Sequence, residues 1–310
     1  MKQERDDAID AVKAEDDEEA EKLLMSPATK KKKAKRASAT DDLLRVKREE
    51  PKQWKDMLLG IQEMRAKRDA DVDTMGCETH VDDKVAPHVW RFHTLVSAML
   101  SSQTKDPVNA AAMERLIGRE GGISAASLSA GMWCKMLTLL PFVGLTVQAM
   151  RDIDENELAQ IIHPVGFYRN KAKYIKQVAE ILTEQAAGSD VVDIPNTFED
   201  LVALPGVGPK MAYLVMDCAW NNAVGICVDT HVHRISNRLG WVNTWNKKNP
   251  KAQNPEKTRA ELQDWLPQEH WGPINVLLVG FGQTICQPRN PKCAECKISH
   301  LCPSANKSDI

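Results

Sequence analysis

Aromatic residues make up only 5% of the chain, and almost nothing in it reads as a β-strand. The short apolar run around Val224–Val228 is the one strand candidate, and a buried connection is the better reading of it. An all-α chain is therefore expected. Long hydrophobic runs are missing too. The longest nearly apolar stretch, Met136–Leu145, is broken by Thr138, Pro141 and Gly144, well short of the roughly 20 residues that cross a bilayer. The acidic opening MKQERDDAIDAVKAEDDEEAE has neither the apolar core of a secretory signal nor the Arg-rich, acid-poor character of a transit peptide. A soluble intracellular protein without a membrane partner is expected. No internal repeat of fixed period is present. Charge of one sign is not in excess either: 41 Lys and Arg stand against 43 Asp and Glu. Residues 1–80 hold 18 basic and 20 acidic groups, and the rest hold 23 of each. The totals announce no nucleic-acid partner, so such a partner must be sought in local patches.

What is present is an ordinary globular balance, 43% hydrophobic and 27% charged. It excludes wholesale disorder and a collagen-like chain, and 310 residues suffice for two domains of about 100–200 residues each. Residues 1–52 read as a disordered tail, with acidic runs and the basic block Lys30–Arg36 (KKKKAKR). In that setting the block is expected to act as a nuclear import signal. From Gln53 the spacing of Trp54, Met57, Leu58, Ile61 and Met64 is helical, with no proline until Pro87. A helix from His88 or Val89 to about Leu100 leads into SSQTKDP, where Asp106 can cap the next helix with Pro107 at its first position. Start and stop signals predict further helices over 155–162, 170–187, 197–203, 209–220, 231–239, 255–265 and 271–281.

The stretch Thr197–Trp220 carries the most chemistry. Thr197 and Asp200 form a capping-box pattern opening a short helix that LPGVG at 204–208 stops, and Pro209 starts another. Gly206 and Gly208, flanking Val207, permit a hairpin that aims backbone N–H groups outward beside a helix start, an anion site suited to a phosphodiester. Lys210 in the first turn sits at the positive end of the helix dipole, where stability alone would not place it. Dipole and desolvation would both favour its neutral amine, the condition for a nucleophilic lysine. Asp229, in VDTHVHRISNR, reads either as a cap for the following helix or as a carboxylate that accepts protons and offsets positive charge beside Lys210. His231 and His233 lie two apart on that helix, so core or phosphate-facing roles suit them better than a shared metal.

Cys286, Cys293, Cys296 and Cys302 are spaced C-x6-C-x2-C-x5-C. In an intracellular chain they read as metal ligands, for a structural zinc or an iron–sulfur cluster; spacing alone leaves both open. Around them Arg289, Lys292, Lys297 and Lys307 outnumber Glu295, and Gly166–Lys176 adds Arg169, Lys171, Lys173 and Lys176 without an acid. These are the local basic patches that backbone neutralisation along DNA requires.

Taken together, LPGVGPK, VDTHVHRISNR and the four-cysteine tail resemble the endonuclease III branch of the helix-hairpin-helix DNA glycosylases, over about Gln53 to Ser304. The resemblance implies a two-lobed all-α fold. A six-helix barrel over 84–223 would contain the helix-hairpin-helix at 197–220. A second lobe, over 53–83 and 224–305, would hold a [4Fe–4S] cluster on Cys286, Cys293, Cys296 and Cys302. It implies a Schiff-base lysine at Lys210, a catalytic aspartate at Asp229, and a glutamine at Gln103 that fills the gap left by an extruded nucleotide. Phe167 would be the apolar wedge beside it, with Gly206, Val207, Gly208 and His231 also facing DNA. The implied activity is excision of oxidised pyrimidines from double-stranded DNA and cleavage at abasic sites, by a monomer. Nuclear residence is expected, with a mitochondrial fraction left open. The alternatives are a monofunctional mismatch glycosylase, against which Lys210 speaks, and a non-catalytic iron–sulfur DNA-binding protein. One segment departs from the pattern. Ile117–Val143 matches no motif and reads as a lineage-specific loop or, preferably, as retained intron sequence.

Overall fold

The computed structural model describes residues 49–80, 85–118, 144–187, 189, 191–249 and 252–305. The described residues belong to one compact unit, Lys47–Ile310. Residues 1–48, with the basic block, and nearly all of the unmatched segment lie outside them. Every regular element is helical among the described residues. In chain order these are α1 (Trp54–Met64), α2 (Asp71–Met75), a 3₁₀ turn (Cys77–His80), α3 (Pro87–Ser101), α4 (Asp106–Ile117), α5 (Val147–Asp152) and α6 (Glu155–Ile162). They continue with α7 (Tyr168–Gln185), α8 (Phe198–Ala203), α9 (Pro209–Trp220), α10 (Thr230–Arg238), α11 (Pro255–Gln263), a 3₁₀ turn (Gln268–His270) and α12 (Pro273–Thr284).

Two buried apolar cores organise these helices. The first draws on α3 through α9: Phe92, Leu95, Leu100, Leu116, Leu158, Ile175, Leu182, Leu201 and Val215 belong to it. On α7 the buried residues Ala172, Ile175, Val178, Ala179 and Leu182 recur at helical spacing, one stripe facing that core. The second core joins α1 to the C-terminal helices through Trp54, Ile61, Val232, Ile235, Trp241, Trp265, Leu278 and Phe281. Trp265 sits edge-on to both Trp54 and Trp241, with ring centroids 5.3 and 5.9 Å apart. Burying each such side chain contributes about 1.5–3 kcal/mol before entropy is charged against it.

Local signals place most boundaries. The Thr197 hydroxyl accepts the Asp200 N–H as the cap of α8 and donates to the Asp200 carboxylate at 2.6 Å, so that carboxylate meets the side chain instead of the backbone. Gly240 (φ 72°) ends α10, and the Trp241 N–H reaches back to the Ser236 carbonyl. No strand forms over Val224–Val228: the connection is buried from Gly225 to Val228, while Val224 is exposed. The helical spacing from Trp54 to Met64 is α1 itself; beyond it buried Arg65 pairs with Asp69 and Asp73, and Arg68 adopts a left-handed backbone. One expectation needs correction. Asp106 does not cap α4: Lys105 occupies the cap position, and Asp106 is the first helical residue.

Candidate active site

The hairpin between α8 and α9 lies as its sequence predicts. Val207 is buried in the first apolar core and pins the turn, leaving the glycines at the surface. Gly206 has φ 76°, and a Cβ there would stand 2.7 Å from the Tyr174 ring, so both backbone and packing demand glycine. Gly208 is different. Its φ is −97°, and an added Cβ would meet nothing within 4 Å. Neither strain nor a neighbour requires glycine at that position. Its bare backbone faces open space at the start of a 12-residue helix, where an anionic chain can approach closely.

Lys210 is the second residue of α9 and is exposed. The expected desolvation is thus not supplied by the protein itself; the helix-start position is. Asp229 caps α10, its Oδ1 accepting the Val232 N–H at 2.8 Å. The other carboxylate oxygen is not used by the cap. Cys227 ties the two helix starts together. Its thiol donates to the Lys210 carbonyl at 3.5 Å, while its own carbonyl accepts from Asn275 of α12 at 2.8 Å. Burial pushes the Cys227 thiol up to about 12, opposed by the charge of Lys210 and reinforced by that of Asp229. It is therefore a neutral structural bracket and not a nucleophile.

His231 extends this cluster. Burial lowers its pKa; Asp229 and Asp106 oppose that shift, and Arg234 and Lys210 add to it. Its Nδ1 lies 3.2 Å from the Arg234 guanidinium. Asp106 accepts from Gln283 of α12 at 2.7 Å, and burial raises its carboxyl above the ordinary 3.8. Lys210, Asp229, His231 and Asp106 therefore share one electrostatic neighbourhood contributed by α9, α10 and α4. Sequence reasoning treated Asp106 only as a cap; its pairing with a residue 177 positions away has no local signal. His233 belongs to the interior: its ring nitrogens meet Thr258 and Gln253, and it stacks on Trp245.

Gln103 and Phe167 sit on neighbouring turns. Gln103 is exposed with φ 50°, and Phe167, the cap of α7, has φ 55°. The basic patch expected over Gly166–Lys176 is smaller than its composition. Arg169 and Lys173 are exposed, but Lys171 is buried and Lys176 donates to the Arg151 and Ile153 carbonyls, so neither is free for phosphate.

The four clustered cysteines are free thiols, each partly buried. Burial raises Cys296 and Cys302, and the charges of Cys286 and Cys293 act on both, so all four share one environment. Arg238 reaches the Cys286 sulfur at 3.5 Å and the Gln287 and Pro288 carbonyls at 2.7 and 2.9 Å. Among the described residues no three His, Cys, Asp or Glu side chains are placed to hold a single metal ion. Four cysteines beside one cation are the donor chemistry of a structural zinc or of an iron–sulfur cluster.

Comparisons with known proteins agree with this geometry. The family described as HhH-GPD superfamily base excision DNA repair protein matches residues 96–268. Endonuclease III-like protein 1 of Gallus gallus is 49% identical over 258 residues, 83% of this chain and 80% of its own. Endonuclease III homolog 1, chloroplastic, of Arabidopsis thaliana is 46% identical over 257 residues, 83% of this chain and 60% of its own. A non-covalent endonuclease III–DNA complex has a TM-score of 0.60 at 25% identity, covering 82% of this chain and 96% of that one. Hairpin, helix-start lysine, capping aspartate and cysteine tail stand together in this chain, which belongs to the HhH-GPD superfamily of base excision DNA repair proteins.

Proposed function

We propose that the chain is a bifunctional DNA glycosylase and abasic-site lyase that removes oxidised pyrimidines from double-stranded DNA. The observation that carries this reading is the exposed Lys210 at a helix start, bracketed through Cys227 to the partly committed carboxylate of Asp229. A stacked base hides its sugar C1′, so the nucleotide must leave the helix before chemistry begins. Gln103 fills the gap, Phe167 wedges beside it, and the N–H groups around Gly206, Val207 and Gly208 hold the backbone. DNA closing over Lys210 supplies the desolvation that the free protein lacks. The amine then attacks C1′, the C1′–N bond breaks with its electron pair leaving on the base, and Asp229 takes the proton shed by the nitrogen. Asp229 passes that proton to O4′ as the C1′–O4′ bond breaks with its electron pair going to O4′. This opens the sugar and leaves an iminium between C1′ and the lysine nitrogen; the iminium acidifies the 2′ protons. Loss of one of them expels the 3′ phosphate by β-elimination and cuts the strand. Asp229, again a carboxylate once the ring has opened, stabilises the positive charge on the iminium nitrogen, and His231 serves the phosphate side of the same cluster on this reading.

Cys286, Cys293, Cys296 and Cys302 would hold a [4Fe–4S] cluster, which when bound supplies a rigid anchor for the basic loop. Arg289 and Lys292 of that loop are exposed and suited to phosphate contact. The chain acts as a monomer in the nucleus on this reading, directed by Lys30–Arg36. Duplexes each bearing one oxidised pyrimidine, one adenine mismatch or one abasic site test the proposal. Base release with a cut on the 3′ side is expected for the first, and cutting for the last. Release from the mismatch without a cut would indicate a monofunctional glycosylase; binding alone would indicate a non-catalytic protein.

A further inference from the structure

Lys171 is 6% exposed, yet among the described residues no carboxylate acts on it. Its Nζ donates to the Leu100 carbonyl at 2.8 Å, the Ser102 carbonyl at 2.6 Å and Thr104 Oγ1 at 3.2 Å. These acceptors belong to the last turn of α3 and to the turn that presents Gln103. The Thr104 hydroxyl also accepts the Gly166 N–H at 3.2 Å, and a Cβ on Gly166 would stand 2.5 Å from the Gln103 carbonyl. The turn of Gln103 and the turn leading to Phe167 are therefore packed backbone to backbone, with the ammonium beneath them. Both Gln103 and Phe167 hold a left-handed backbone, which is strained for a residue with a side chain. Such conformations persist where the surroundings over-determine them, and they gather at functional sites. A buried, unpaired ammonium is itself costly, and solvent or a surface lysine would satisfy helix-end carbonyls at less expense.

We propose that Lys171 is a positioning residue for nucleotide extrusion: it locks the Gln103 turn against the Phe167 turn so that the two side chains enter the duplex as one rigid wedge. The proposal rests on the gap-filling role of Gln103. Three N–H donors of the ammonium match three acceptors, whereas a neutral amine has only two. Burial lowers Lys171 from the ordinary 10.5 to about 8, and burial is the sole cause. Arg169 and Lys173 on its own helix, Lys105 and Asp106 at the head of α4, and His163 ahead of Gly166 add nothing to that shift. As pH rises through about 8 the lock therefore loses a donor. Over the window from about 8 to 10.5 the unfolded chain binds more protons at this site, so its contribution to stability rises with pH. Loosening of the wedge and weakening of the fold have opposite signs there.

The test compares single-turnover excision of a well-paired oxidised pyrimidine with cleavage of a preformed abasic site, using the full chain. Both reactions use Lys210 as nucleophile, so their ratio isolates extrusion, the step that only the paired base requires. Lys171→Met should lower the excision-to-cleavage ratio about tenfold to a hundredfold, the scale of a misplacement of roughly 1 Å. Gln103→Ala should lower it similarly, and the double variant should be no worse than Gln103→Ala alone. For the wild-type protein the ratio should fall between pH 7 and pH 9, which needs no variant to fold. An unchanged ratio in Lys171→Met beside a lowered one in Gln103→Ala overturns the proposal, as do additive losses or a flat pH profile. An unchanged ratio in Gln103→Ala overturns the gap-filling reading itself, and the proposal with it.

Discussion

Asp229 has two duties that substitution can separate. One oxygen caps α10 through the Val232 N–H at 2.8 Å, and the charge serves the chemistry beside Lys210. Asp229→Ala removes both. Loss of a capping acceptor costs about 1 kcal/mol, within roughly 0.5–2. In a unit of this size each kcal/mol lowers Tm by about 2–4 °C. Asp229→Asn keeps an oxygen where the cap needs it and loses only the favourable charge at the helix start, about 0.3–1 kcal/mol. Its Tm should therefore fall by less than that of Asp229→Ala. Base release should fall in both variants alike, by about 10²–10⁴, the usual cost of losing a general base. Thermal melting by circular dichroism and single-turnover base release with enzyme in excess measure the two effects. Asp229→Asn melting as low as Asp229→Ala, or excising at the wild-type rate, would refute the division of labour.

Gly206→Ala forces a left-handed alanine against Tyr174, so stability should drop by about 1–3 kcal/mol in denaturant titration, with the hairpin displaced; an unchanged midpoint would count against the geometry. Cys293→Ser should lower the iron content of anaerobically prepared protein and destabilise the lobe containing α10 and α12; stoichiometric zinc without iron in the wild type would contradict the cluster. Burial raises the Asp106 carboxyl, so its charge weakens the fold above the folded-state pKa, and the penalty vanishes as pH falls below the unfolded value of 3.8. Asp106→Asn should therefore raise Tm at neutral pH, with the gain shrinking toward pH 4; a gain that grows on acidification would reverse the sign.

Helix starts and stops were legible where the signal is local. Residues 209–220 follow from Gly208 and Pro209 at one end, and the chain leaves α9 through a left-handed Asn221. Lys210 and Asp229 stand out because each occupies a position that invites chemistry as well as structure. What sequence does not carry is the direction in which a charged side chain turns. Lys171 counts as a positive charge in any patch, and only the fold shows it spent on three acceptors of another helix end. Asp106 stands where a cap is expected, one residue too far along, and its partner Gln283 comes from the far end of the chain. The bracket made by Cys227 is equally silent, since it joins a thiol to a backbone carbonyl.

Covalent capture tests the central claim most directly. Sodium borohydride added during turnover of duplex DNA with one oxidised pyrimidine should reduce the iminium and leave protein bonded to the strand, and peptide mapping should place the bond at Lys210. Lys210→Gln should abolish capture and strand cutting while binding damaged DNA, because the hairpin N–H groups remain. A bond mapped to another lysine, or a Lys210→Gln protein that nicks at the wild-type rate, would contradict the mechanism.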